Sequence, residues 1–72
     1  MNKKNKIKIV VNGKLLTVNL KFTLKNLVEK LKTPINKVAI ELNEEIVDKK
    51  KLNKVFLKNK DKIEIVHFIG GG

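Results

Sequence analysis

The chain has no cysteine, serine, arginine, tryptophan or tyrosine, and a single proline. Without cysteine no disulfide staples the fold. Thiolate nucleophiles and cysteine-based zinc or iron–sulfur sites are excluded as well. Without serine a Ser-His-Asp arrangement cannot be built. The only histidine, His67, has no nucleophile or orienting acid that can be assigned to it, and it is read as structural or solvent-facing. No cluster of histidines or cysteines exists to hold a transition metal, so no metal site is expected. The seven acidic residues are scattered and form no spaced carboxylate pair of the kind used in acid–base catalysis. Gly13-Lys14 lacks the preceding glycine spacing of a phosphate loop. Long apolar runs are also missing. None approaches the roughly 20 residues needed to span a bilayer, so no membrane partner is expected. Lys3 and Lys4 lead into alternating Ile7-Lys8-Ile9, not into an apolar run, so no secretory leader is expected and the expected location is the cytoplasm. On this inventory the protein is not expected to be an enzyme.

What is abundant is lysine. The formal net charge is +10, and all 17 basic residues are lysine. A basic chain of this kind invites a nucleic-acid reading. Arginine, however, supplies the bidentate fork that suits phosphate and guanine, and it is absent. The aromatic side chains are Phe22, Phe56 and Phe68, which is thin for a base-stacking platform. Lysine, asparagine and isoleucine share A/T-rich codons, so genome composition could supply much of the charge. A solvated lysine surface is the simpler reading, and a basic RNA-binding module is the less favoured alternative.

A chain of 72 residues makes one small domain with one core. Residues 1–6 read as a disordered lead, 7–68 as the domain and 69–72 as a flexible glycine tail. Ile7, Ile9 and Val11 alternate with polar residues at the period of a half-buried strand. Asn12-Gly13 tolerates the positive φ angles of a type I′ turn and predicts a hairpin into a second strand near Lys14–Leu20. Thr23 is a reasonable N-cap. Leu24, Leu27, Val28 and Leu31 form one apolar helical stripe, read as core packing. The helix must end by Thr33, before Pro34. Val38–Leu42 reads as a third strand, and Asn43-Glu44 as a turn into a short strand, Glu45–Val47. Asp48–Leu52 reads as a solvated turn or a single helical turn. Val55-Phe56-Leu57 supplies apolar anchors. Lys58–Asp61 reads as a polar turn with Asn59 left-handed, and Lys62–Phe68 as the final strand. This order implies an α+β fold: a β-grasp, or ubiquitin-like, roll with a mixed sheet of four to five strands, one main helix on one face, and the first and last strands adjacent at the centre.

In the final strand Ile63 and Ile65 take the inward phase, leaving Glu64, Val66 and Phe68 on the other face. Apolar residues on an outward face beside the tail suggest partner docking. The tail, Gly70-Gly71-Gly72, has no side chains and reaches conformations closed to other residues. It can thread a narrow channel and present the Gly72 carboxylate to another protein's active site. Carboxylates are poor acyl donors. A partner could form an acyl-adenylate there with ATP, after which a sulfur nucleophile would leave a thiocarboxylate, or a lysine amine an isopeptide.

On these residues the chain resembles the sulfur carriers of thiamine biosynthesis, the ThiS family of β-grasp proteins. The resemblance runs from Ile7 to Gly72. It is carried by Val11-Asn12-Gly13-Lys14, by residues 23–27 and 38–47, and most specifically by the block 61–72 with its glycine end. Two positions depart from the family pattern. The turn Asn59-Lys60-Asp61 lacks the family's usual central glycine, and Asp48 stands where a proline is common. The resemblance implies a co-substrate protein, a monomer when free, that binds no cofactor itself. A partner adenylyltransferase related to ubiquitin-activating enzymes uses MgATP to adenylate the C-terminal glycine. Sulfur from a cysteine desulfurase or another sulfur donor converts the adenylate to a thiocarboxylate, and thiazole synthase accepts the sulfur. By position Gly72 carries the thiocarboxylate, Gly70 and Gly71 thread the channel, and Val66, Phe68 and Ile69 dock the partner. Close alternatives are the small subunit of molybdopterin synthase and other ubiquitin-like carriers or modifiers.

Overall fold

The structure, a computed structural model, describes residues 5–68. Its first unit is an antiparallel hairpin of β1 (Lys6–Val11) and β2 (Lys14–Asn19), with Ile9 opposite Leu16 and Ile7 opposite Val18. Asn12 and Gly13 take φ values of +49° and +83°, the left-handed pair a type I′ turn demands. A Cβ on Gly13 would meet open space, so backbone conformation alone favours glycine there.

Helix α1 (Leu24–Lys30) follows. The Thr23 hydroxyl accepts from the Asn26 amide at 3.0 Å, and the Asn26 carboxamide accepts from the Thr23 amide at 2.9 Å. This reciprocal cap satisfies two amides that the first turn leaves without partners. Leu24, Leu27 and Val28 are buried under the helix. Leu31 departs from the expected stripe. It is the C-cap residue and 41% exposed, and Lys32 then turns the chain at φ +55°.

A 3₁₀ turn at Ile35–Lys37 leads into β3 (Val38–Leu42) and then β4 (Glu45–Ile46). A second 3₁₀ segment, Lys49–Lys54, is capped by the Asp48 carboxylate, which accepts from the Lys50 amide at 2.9 Å. Of the expected anchors after it, Leu57 is buried, Val55 is half-buried and Phe56 is exposed. Phe56 is engaged through its backbone in a bridge with Thr23. The left-handed residue of the next turn is Lys60, at φ +75°, not Asn59. Asn59 instead uses its carboxamide oxygen to accept from the Lys8 amide at 2.8 Å, and Lys60 donates its own amide to the Lys8 carbonyl at 2.7 Å. Holding both groups against β1 leaves the positive φ to Lys60.

Strand β5 (Lys62–His67) completes a five-stranded sheet in the order β2-β1-β5-β3-β4. It runs parallel to β1 and antiparallel to β3. The parallel pairing is short, with Val10 opposite Lys62 and Val11 opposite Ile63. Asn12 prolongs it: its carboxamide accepts from the Ile65 amide at 2.7 Å and donates to the Ile65 carbonyl at 3.3 Å. Asn43 ties the other neighbour to β5 by accepting from the Lys62 amide at 2.9 Å and donating to Asp61 at 3.0 Å. The buried Asp61 carboxylate also accepts from the Lys58 amide at 2.7 Å, so its burial leaves no polar atom unpaired. The core lies between α1 and one sheet face and contains Ile7, Ile9, Leu27, Val38, Ile40 and Ile63. Five strands with one helix laid across one face make the mixed sheet and β-grasp roll that the element order implies.

Candidate functional site: the outer sheet face and the end of β5

Alternation along each strand separates the residues under α1 from those on the opposite face. On β5, Ile63 and Ile65 are buried, Glu64 is half-buried, and Val66 is 51% exposed. The register puts Val66 opposite Ala39, and Glu64 opposite Glu41, which in turn faces Ile46 of β4. Ile46 is 76% exposed. The outer face of this half of the sheet therefore joins Val66, Ala39 and Ile46 to two directly opposed carboxylates. Like charges opposite one another on neighbouring strands are destabilising. The Glu41–Glu64 pairing was not anticipated from the chain order. It depends on β3 and β5 being neighbours in that particular register. The only hint in the sequence is that both glutamates occupy the polar phase of their strands.

The hairpin half of the same face is mixed, with exposed lysines beside Leu15, which is 67% exposed opposite Val10. Lys6 and Lys8 are exposed, and the Lys6 ammonium donates to the Asn19 carboxamide at 2.8 Å. Lys62 lies 3.9 Å from Glu44, an exposed pair that contributes little to stability.

Phe68 lies just past β5 and is 54% exposed. Its amide donates to the Lys37 carbonyl at 2.9 Å, one step beyond the ladder with β3. The Lys49 ammonium stands 5.3 Å from the centroid of its ring. That ammonium also donates to the carbonyls of Ile35 at 3.0 Å and Val38 at 2.6 Å. Sequence reasoning missed Lys49, which sits in a run of lysines that reads as solvated. His67 is opposite Val38 and exposed. Ile69, Gly70, Gly71 and Gly72 lie outside the described residues.

An open cleft of about 510 Å³ separates α1 from the second 3₁₀ segment. Lys25, Lys32, Lys49 and Lys50 line it over a floor that includes Val28 and Leu52, with Glu29 at its side. Among the described residues no group of three or more histidines, aspartates or glutamates could hold a metal ion. No helix among them is long and apolar enough to cross a membrane.

The sheet order, the helix on one face and the outward patch beside the end of β5 define a ubiquitin-like β-grasp protein. A model of the ThiS family matches residues 9–72, and the chain belongs to that family. A crystal structure of the thiamine biosynthesis protein ThiS from Geobacter metallireducens superimposes with a TM-score of 0.80 at 30% identity, covering 92% of this chain and 100% of that one. The sulfur carrier protein ThiS of Bacillus subtilis is 51% identical over 35 residues, 49% of this chain and 53% of that protein. A thiazole synthase of Paramagnetospirillum magneticum is 41% identical over 66 residues, 92% of this chain. One from Magnetococcus marinus is 39% identical over the same length. This chain spans about a fifth of the length of each thiazole synthase, 20% in both cases.

Proposed function

We propose that this chain is a sulfur carrier for thiazole formation in thiamine biosynthesis, a co-substrate that partner enzymes act upon. The observation that carries the reading is the ThiS family match, which extends through the glycines to residue 72. The thiazole synthases that match nearly the whole chain support thiazole synthase as the acceptor. The chemistry uses the Gly72 carboxylate. One of its oxygens attacks the α-phosphate of MgATP in a partner adenylyltransferase, and pyrophosphate leaves. A sulfur nucleophile derived from a cysteine desulfurase or another donor then attacks the acyl carbon. AMP departs with the carboxylate oxygen. Hydrosulfide as the nucleophile gives the thiocarboxylate directly. A persulfide gives an acyl disulfide, which a second thiol cleaves, releasing the thiocarboxylate and leaving that thiol joined to the donor's sulfur as a disulfide. Beyond the Gly72 carboxylate, none of these steps needs a nucleophile or a metal on this chain. Gly70 and Gly71 would pass through the adenylyltransferase channel, and Val66, Phe68 and Ile69 would dock against its surface.

The test is the intact mass of the purified protein after incubation with an adenylyltransferase of this family, MgATP and a sulfide source. The expected result is a gain equal to sulfur replacing one oxygen, lost when Gly72 is deleted. The mass of the untreated protein reports whether Gly72 is its last residue, which the chemistry requires. No gain, with an enzyme that thiocarboxylates its own carrier, overturns the reading. Salt-sensitive RNA binding that survives deletion of Gly71-Gly72 would replace it with the basic-module alternative.

A further inference from the structure

Phe68 is held from two sides, and one of them depends on a single lysine. We propose that Lys49 is a positioning residue: it latches Phe68, so that residues 69–72 leave the domain from a fixed point beside β3. The proposal deepens the sulfur-carrier reading and rests on it.

Lys49 differs from a solvated lysine in how its ammonium is used. An ammonium offers three donors. Two are taken by the carbonyls of Ile35 and Val38, at 3.0 and 2.6 Å. Those carbonyls lie in the 3₁₀ turn and at the first residue of β3. The charge is therefore pinned where β3 begins, and the Phe68 ring lies 5.3 Å away. A cation attracts an aromatic ring when it stands within about 6 Å of the centroid. The backbone bond from Phe68 to Lys37 is the second tie. Together they fix both the main chain and the ring of the last aromatic residue before the glycines. Four residues span at most about 14 Å, so the position of Phe68 sets the outer limit of where the Gly72 carboxylate can reach. A partner that binds only the latched form meets a smaller competent fraction when the latch is lost, and its apparent affinity falls by that fraction.

The test combines Lys49→Gln, Lys49→Arg, Phe68→Leu and the double variant Lys49→Gln/Phe68→Leu. In the free protein, Lys49→Gln should speed hydrogen exchange of the Phe68 amide several-fold while the Ile40 and Ile63 amides keep their protection. In adenylation assays, Lys49→Gln and Phe68→Leu should each raise KM roughly two- to five-fold with kcat unchanged, the range expected from a half-exposed cation–ring contact. The double variant should be no worse than Phe68→Leu alone, since Lys49 acts only through Phe68, and Lys49→Arg should stay near wild type. Unchanged Phe68 exchange in Lys49→Gln overturns the latch. So do KM effects that multiply in the double variant, or a KM rise that tracks lost protection throughout the sheet. If the wild-type protein is not adenylated at all, the carrier reading fails and the positioning role with it. Hydrogen exchange, which needs no partner, still reports separately whether Lys49 holds Phe68.

Discussion

The two faces of the sheet are built from alternate residues of the same strands, yet they follow different rules. On the inner face Ile9, Val38, Ile40 and Ile63 have no exposed surface, and each is a β-branched residue suited to a packed sheet. On the outer face Glu41 stands opposite Glu64, and Val66 and Ile46 present apolar surface to water. Two of only seven carboxylates in a chain of charge +10 are thus placed against each other, although lysines are available everywhere to separate them. Local rules are broken on one face and kept on the other. A sequence that is consistent elsewhere tends to break such rules where it does its work. The contrast assigns folding to one face and makes the other the face on which the proposed recognition is to be tested.

The sharpest way to break that division is a change on the inner face. Leu27→Ala empties a fully buried site under α1 and should cost about 2–5 kcal/mol in chemical denaturation. That is a large part of the total stability of a small domain. A loss below about 1 kcal/mol would mean that the helix contributes little to the core. Glu64→Gln should act in the opposite direction. Removing one of the two opposed charges should stabilise the fold by about 0.2–1 kcal/mol while reducing kcat/KM for adenylation. If stability rises and adenylation is untouched, the carboxylate pair has no part in recognition. The smallest stability effect is expected for Val66→Ala, within about 0.5 kcal/mol because the side chain is half exposed. Its kcat/KM for adenylation should nevertheless fall several-fold. A variant that loses stability but keeps full adenylation would assign Val66 to the inner-face class.

How much of this was legible in the sequence depended on the range of the interactions. Asn12-Gly13 announces its hairpin because two adjacent residues carry the whole signal. Thr23 announces the start of α1, where the cap closes within three residues. The end of α1 was less legible. Leu31 matches the apolar spacing, but the helix closes before it, and a spacing rule cannot see where a cap falls. In the turn before β5, asparagine is the residue usually read as left-handed. Here Asn59 is engaged by β1, and Lys60 takes the strained conformation instead, at a cost of about 1–2 kcal/mol that glycine would avoid. Lys60 is also the position where the family pattern has glycine. Glu41–Glu64 and Lys49–Phe68 were not legible, since each joins residues from separate elements whose meeting is decided by sheet order.

The short parallel pairing of β1 with β5 has a consequence for the order of events in synthesis. Residue 10 must find residue 62 before the centre of the sheet exists. Contacts of such long sequence separation slow folding. While the chain is being made, the two hairpins and the helix have no common strand to lean on. The domain can close only once residues 62–67 have emerged. The glycines follow within a few residues, so on the carrier reading a chain that has released Gly72 already contains every strand of the sheet.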